Sequence, residues 1–387
     1  MAHFAFVSAP ASGHVNPTLP LVEELVRRGH RVGYATGPAT MDAAVAAGAS
    51  PVPLPSRLPP GMAARGGFTA EQLAVTMEHY LDDARACFPV LAAHFSADPP
   101  DAVCYDSVTF TGRMLANLLR VREISLVPTF AENESFSAAQ VYLPADFDRT
   151  DPRLVAAVQD MGRFAQGHAF LDEPNLMLGH VAPTSLVFIP REFQLSGDTF
   201  DERFHFVGPS LSSRQTAEEW SPRSRAPVLL VSLGTVFNDR PEFYRTCIEA
   251  FGGGEWQVVM AVGGLDQESL GPIPANVEVH AHVPQVAVLR HAEVFLSHAG
   301  MNSAMESLYH GVPFVAVPQI PEQRAIARRA EELQVGRTLA EPTVQALRDA
   351  VRDVRSCRPS AAALSRIVRG AGGASKGADV LEKLLTG

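Results

Sequence analysis

The sequence predicts an α/β fold of two doubly wound, Rossmann-like domains. Three observations carry the prediction. Short β-type runs alternate with helix-type runs through the first half of the chain. A polar break follows, and then a second alternating series of the same kind begins. The length of 387 residues suits two domains. Strands that alternate with helices build mainly parallel sheets through right-handed crossovers.

The elements run as follows. His3-Phe4-Ala5-Phe6-Val7 reads as the first strand. Pro17 suits a first helical position, so a helix is predicted from Thr18 to Arg28, stopped by Gly29-His30. Arg31 to Thr36 is a second strand, Asp42 to Ala47 a short helix and Pro51 to Leu54 a short strand. Glu71 to Phe95 is a long helical stretch. Asp101 to Tyr105 and Ile124 to Val127 read as strands, with a helix from Gly112 to Leu119 between them.

Gly208 to Pro227 is polar and rich in Ser, Pro and Arg, the composition of a linker. The second series holds strands at Val228–Val231, Gln257–Val262, Val277–His280, Val294–Leu296 and Pro313–Val317. Gly370 to Gly377, GAGGASKG, reads as a flexible connection, and Ala378 to Leu385 as a last helix. The expected division is 1–207, a linker 208–227, 228–369, and a C-terminal connection and helix 370–387.

Composition narrows the function. Hydrophobic residues make up 46% and charged residues 19%, the proportions of an ordinary globular protein. A net charge of −10 argues against nucleic acid or an anionic membrane as the main partner. Cys87, Cys104, Cys247 and Cys357 are far apart and form no C-x-x-C pair, which argues against structural zinc. No apolar run approaches the ~20 residues of a membrane span. The first strand lacks the charged flank of a signal peptide. A cytoplasmic enzyme, monomer or homodimer, is the expectation.

The most informative stretch is Phe295 to Gln323, FLSHAGMNSAMESLYHGVPFVAVPQIPEQ. A strand ends in Ser297-His298-Ala299-Gly300, and a helical pattern starts around Asn302-Ser303. The first turn of a helix offers unpaired N–H groups and the positive end of the dipole, so a phosphate fits there. Gly300 lets the backbone approach a ligand. His298 can add a donor or a positive charge beside phosphates. Glu306, about two turns on, can accept from ribose hydroxyls. His282-Val283-Pro284-Gln285 forms a loop that can receive the base.

These residues carry a resemblance. Val277 to Gln323 resembles, nearly end to end, the donor-binding signature of nucleotide-sugar-dependent glycosyltransferases of the two-domain GT-B fold. It is most similar to the bacterial macrolide glycosyltransferases, which also glycosylate flavonoids and other phenols. The resemblance implies two Rossmann-like domains facing across a cleft, with a last helix that packs back on the first domain. It also implies a UDP-sugar donor, a small apolar hydroxylated acceptor, inversion at the anomeric carbon, and no essential metal or other cofactor.

Ser12-Gly13-His14-Val15-Asn16-Pro17 follows the first strand, and ligands of open α/β sheets sit outside the carboxyl ends of strands. Transfer to a hydroxyl needs a base, and His serves near neutral pH. Taken alone, His14 is better read as a solvent-exposed residue that caps or packs locally. Its setting, Gly-His-Val-Asn-Pro and then a helix ending Arg-Arg-Gly-His-Arg-Val, resembles the family's N-terminal motif and so implies the catalytic base. Asp106 ends another strand. It either orients His14 or caps the segment after it, and the resemblance implies the dyad.

Ser232-Leu233-Gly234-Thr235 is either a tight turn or a diphosphate-binding loop. Asn302 and Ser303 can cap their helix with side chains near the phosphates. Glu322-Gln323 stands where relatives usually have Asp-Gln contacting sugar hydroxyls. His282 stands where many relatives stack a larger aromatic on uracil. Asp146-Phe147-Asp148 is a D-x-D, read here as a surface turn or acceptor loop and not a metal site. Phe68, Phe88, Phe130, Phe136, Tyr142, Phe164 and Phe170 are the aromatics from which an apolar acceptor pocket would draw.

A dTDP-deoxysugar-dependent antibiotic glycosyltransferase is the runner-up reading. A same-fold sugar-nucleotide epimerase would need acidic groups around the sugar instead of a His–Asp pair. A dinucleotide-dependent dehydrogenase would need G-x-G-x-x-G after the first strand, which Pro10-Ala11-Ser12-Gly13-His14 lacks. A non-catalytic sugar-nucleotide binding module would have no use for His14.

Overall fold

His3–Val7 forms β1, and all five of its residues are buried. Such unbroken apolarity belongs to a strand covered on both faces, as in parallel sheets. Around it lie β2 (Arg31–Thr36), β3 (Ser50–Pro53), β4 (Ala102–Asp106), β5 (Arg122–Val127), β6 (Ser185–Val187) and β7 (Phe204–Phe206). Their order is β3-β2-β1-β4-β5-β6-β7, and the pairings are parallel. The chain winds outward from β1 to β3, then crosses back to place β4 on the other side of β1. Ligands of such sheets bind where the winding reverses, at the carboxyl ends of the two central strands.

The second sheet repeats the plan. Its strands are β8 (Val228–Ser232), β9 (Gln257–Ala261), β10 (Val277–His280), β11 (Ala292–Ser297), β12 (Phe314–Ala316) and β13 (Gly336–Thr338). The order is β10-β9-β8-β11-β12-β13, again parallel. Winding reverses between β8 and β11, whose last residues, Ser232 and Ser297, are paired.

This computed structural model describes residues 1–56, 58, 69–168, 180–236 and 238–386. It divides into one unit of Met1–Ser212 with Ala371–Gly387, and another of Ser213–Gly370. Among the described residues, no helix is long and apolar enough to cross a membrane.

Two expectations about connections need correction. The polar stretch 208–227 is not wholly linker, because Ser213–Ala217 is helical and belongs to the second unit. Nor is Gly370–Gly377 a flexible connection. One helix runs over Arg358–Gly370 and the next over Gly373–Thr386. The Gly373 N–H donates to the Val207 carbonyl at 2.8 Å, and Gly372 and Gly373 turn the chain between the two helices with φ +102 and +56.

That last helix buries Ala378 and Leu381 in the same core as Leu21, Leu25 and β1. Arg28 bridges to Asp379 and Glu382 at 2.7 Å, and His30 to Glu382 at 2.8 Å. The apolar seam contributes more than the ion pairs. Burying one Leu is worth about 1.5–3 kcal/mol, whereas a partly exposed pair is worth about 0–1 kcal/mol.

Pro17 lies in a 3₁₀ turn, Asn16–Thr18, and the α-helix proper is Leu19–Arg27.

Candidate active site

The reversal of winding in the first sheet brings His14 and Asp106 together. His14 lies in a short helical turn, Ser12–Val15, beyond the carboxyl end of β1. Asp106 is the last residue of β4, the neighbour of β1. The His14 Nδ1 stands 2.7 Å from Asp106 Oδ2, with the imidazole partly exposed and the carboxylate buried. Asp106 also holds two backbone N–H groups. Its Oδ1 accepts from the Val108 N–H at 3.2 Å and its Oδ2 from the Ala9 N–H at 3.4 Å. Thr109, not Asp106, is the N-cap of the following helix, Phe110–Leu119. A carboxylate held this way stands where it can orient the ring beside it.

The second sheet gathers another group at its own reversal. Ser232 Oγ accepts from the Gly234 N–H at 3.3 Å. Gly234 has φ +79, and a side chain there would run into the His298 ring. A Cβ on Gly300 would strike the same ring. Both glycines thus make room for the Cε1–Nε2 edge of His298. Ala299 takes the left-handed φ of 62 and is fully buried. This conformation is uncommon for a residue with a side chain and clusters at functional turns.

The Met301–Tyr309 helix follows, with Gly300 as N-cap and no side-chain cap. Asn302 and Ser303 are thus inside the first turn and are not caps. Burial pushes the His298 pKa down to about 4, against a small upward pull from the Ser232 backbone. The ring is therefore neutral near pH 7 in the free protein. It brings a neutral ring to this turn, not the positive charge that the sequence left open.

Glu306 sits on the same helix at the centre of an amide clamp. The Gln285 Nε2 donates to one carboxylate oxygen at 2.7 Å and to Ser303 Oγ at 3.2 Å. The Gln215 Nε2 donates to the other carboxylate oxygen at 2.9 Å. Burial raises the Glu306 pKa, and the two amides oppose the rise. Gln285 starts a short helix, Gln285–Leu289, directly after the loop that holds the exposed His282 and half-buried Val283. Thr235 is exposed beside Gly234.

Glu322 and Gln323 lie in the first turn of the Pro321–Glu332 helix, which follows β12, the neighbour of β11. Gln323 is buried, and its Oε1 accepts from the Gln319 N–H at 2.7 Å. That oxygen shapes the loop.

Asp146 and Asp148 are exposed, and Asp148 Oδ1 accepts from the Thr150 N–H and hydroxyl at 2.8 and 2.7 Å, the pattern of a turn. Among the described residues, no cluster of three or more His, Cys, Asp or Glu is placed to hold a metal.

Phe88, Phe130 and Phe136 are buried in the core, Phe130 against Phe193 and Phe136 near Phe200. Tyr142 and Phe164 keep partial exposure. Phe68 and Phe170 lie outside the described residues.

Similarity to known proteins now decides the family. Residues 211–367, which hold the second sheet and its clamp, match the family described as UDP-glucoronosyl and UDP-glucosyl transferase. The whole chain is similar to the NDP-glycosyltransferase YjiC of Bacillus licheniformis, with 38% identity over 99% of this chain and 98% of that one. The chain belongs to the UDP-glucoronosyl and UDP-glucosyl transferase family.

It is also 38% identical to the demethyllactenocin mycarosyltransferase of Streptomyces fradiae, over 100% of this chain and 87% of the relative. Among solved structures, a glycotransferase of kitacinnamycin superposes with a TM-score of 0.87 at 34% identity, covering 99% of this chain and 98% of that one. The fold is GT-B, and the protein is a nucleotide-sugar-dependent glycosyltransferase.

Sequence reasoning missed one residue of this glycosyltransferase's clamp. Gln215 lies in polar sequence that reads as linker, with no motif to mark it. The only signal was a lone amide side chain among small polar residues, which is indistinguishable from solvent-facing sequence until the helix folds back.

Proposed function

We propose that the chain transfers a sugar, with UDP-glucose the expected donor, to a hydroxyl of an apolar natural product such as a macrolide, flavonoid or phenol. The observation that carries this reading is the His14–Asp106 pair at 2.7 Å, at the point where the first sheet reverses its winding. An epimerase or a binding module gives no use to a His–Asp pair in that position.

In this reading the first unit binds the acceptor and the second binds the donor. Asp106 holds the Nδ1–H of His14, and Nε2 takes the acceptor hydroxyl proton as the oxygen attacks the anomeric carbon. The bond from that carbon to the diphosphate oxygen breaks on the opposite face, so configuration inverts. The N–H groups of the Met301–Tyr309 helix and the neutral His298 stabilise the departing diphosphate. Ser232, Gly234 and Thr235 line its other side. His282, Val283 and Gln285 receive the base, Glu306 reads the ribose, and Glu322 with Gln323 reads the sugar. Charge stabilisation by these groups makes a divalent cation unnecessary.

A dTDP-deoxysugar donor is the second reading, favoured by the likeness to a mycarosyltransferase. Glu306 argues for UDP, because a carboxylate with two separately held oxygens suits a ribose diol, and dTDP lacks the 2′-hydroxyl. The test is mass-spectrometric product analysis with UDP-glucose and dTDP-sugars over a panel of acceptors. Glycosylated acceptor from UDP-glucose supports the first reading, and product from dTDP-sugars alone overturns it.

A further inference from the structure

We propose that Gln215 is a positioning residue of the donor site, holding Glu306 so that its two carboxylate oxygens receive the ribose diol of a nucleoside diphosphate sugar. The inference rests on Glu306 reading the ribose, as above. Three observations carry it. First, the clamp is two-sided, with Gln285 on one oxygen of Glu306 and Gln215 on the other. Each carboxylate oxygen has two lone pairs, so each keeps one for a hydroxyl while its amide partner fixes its direction.

Second, the clamp arm is itself anchored. The Ser213–Ala217 helix packs on the Gln285–Leu289 helix. The Arg290 guanidinium donates to the Thr216 carbonyl at 3.0 Å. The two amides that grip Glu306 therefore come from neighbouring, mutually braced helices. Third, Glu306 is half-buried, and desolvation favours its protonated form. Without its amide partners the carboxylate would tend to take up a proton, and a protonated Glu306 loses acceptor capacity. Glu218 is the ionisable group that bears on it, and Arg290 and His310 are further ones on the elements around it. Glu218 on the Gln215 segment repels it. Arg290 follows the Gln285–Leu289 helix. His310 at the end of its own helix is kept neutral near pH 7 by burial.

The experiment is calorimetric titration of the full chain with UDP and with 2′,3′-dideoxy-UDP, from mildly acidic to neutral pH. The proposal expects Gln215→Leu to weaken UDP about tenfold, the loss typical of a hydrogen bond to a charged group. Dideoxy-UDP, which has no diol to read, keeps its affinity, and that retained binding shows that the variant is folded. Because Gln215 favours the carboxylate form, its removal also shifts the acid-side loss of UDP binding to higher pH. Gln215→Glu, which adds a like charge, shifts it further.

Unchanged or tighter UDP binding in Gln215→Leu overturns the proposal, and so does an equal loss for both nucleotides. Glu306→Ala separates the two layers. If that variant still prefers UDP to dideoxy-UDP, the ribose reading itself fails. If it loses the preference while Gln215→Leu keeps it, only the positioning role fails.

Discussion

The Nδ1 of His14 lies 2.7 Å from the Oδ2 of Asp106, a carboxylate that is 1% exposed. A buried carboxylate at this distance can orient a partly exposed imidazole. His14→Ala should lower turnover by ~10²–10⁴ with UDP affinity unchanged, because the proposed nucleotide-binding groups belong to the other unit. Asp106→Asn should lower turnover by at least ~10², since an amide N–H turned toward Nδ1 selects the wrong tautomer. Steady-state kinetics beside UDP calorimetry checks both, and wild-type turnover in His14→Ala would remove the base from the mechanism.

We expect transfer to need no metal, from where the charges lie. Asp148 is committed to a turn with Thr150, and the proposed diphosphate site is made of N–H groups and a neutral ring. Activity should survive EDTA, and Asp146→Asn and Asp148→Asn should stay within about twofold of wild type, an effect of about 0.4 kcal/mol. Loss of activity with EDTA, restored by Mg²⁺ or Mn²⁺, would contradict this.

The donor signature was legible in the sequence because its spacing encodes the fold. A strand, a turn of small residues and a helix must follow each other for His298, Gly300 and Glu306 to converge, and no purely structural pattern requires those residue types. His14 and Asp106 were legible for the same reason, each at a strand end. The short outer strands β6, β7 and β13 were not. Each has three residues, too few to show a period. The ionisation of His298 was equally hidden, because it depends on burial beside Gly234 and Gly300, which lie far apart in sequence. Gln215 was invisible because a helix of five residues inside polar sequence has no apolar face to betray it.

Burial also sets an acid limit on stability. Desolvation holds the His310 pKa at about 4, with Arg290 and Arg369 adding to the effect. The unfolded chain takes up that proton near 6.5, so between about pH 6.5 and 4 it binds more protons than the native state. Stability therefore falls as pH drops through this window, and each unit of depression is worth about 1.4 kcal/mol. Thermal melts should show this slope, and His310→Gln should flatten it. An unchanged slope would mean that His310 protonates freely in the native protein.

The Glu322-Gln323 pair should divide its work. Gln323 holds the Gln319 N–H, so Gln323→Ala should lower both Tm and kcat/KM. Glu322 is proposed to read a sugar hydroxyl, and Glu322→Ala should cost about 1.5–3 kcal/mol of selectivity for glucose over a sugar lacking that hydroxyl. Competition between UDP-glucose, UDP-galactose and UDP-N-acetylglucosamine measures this. Unchanged donor ratios in Glu322→Ala would make the residue structural.

The most direct test of the central claim is a transfer assay read by mass spectrometry and anomeric analysis, with wild type and His14→Ala side by side. UDP-glucose is offered with macrolide, flavonoid and phenol acceptors. The account predicts acceptor carrying one hexosyl group of inverted configuration from the wild type, and product formation that collapses in His14→Ala while UDP binding persists. Retained configuration, equal product from both proteins, or interconversion of the sugar nucleotide with no transfer to any acceptor would contradict it.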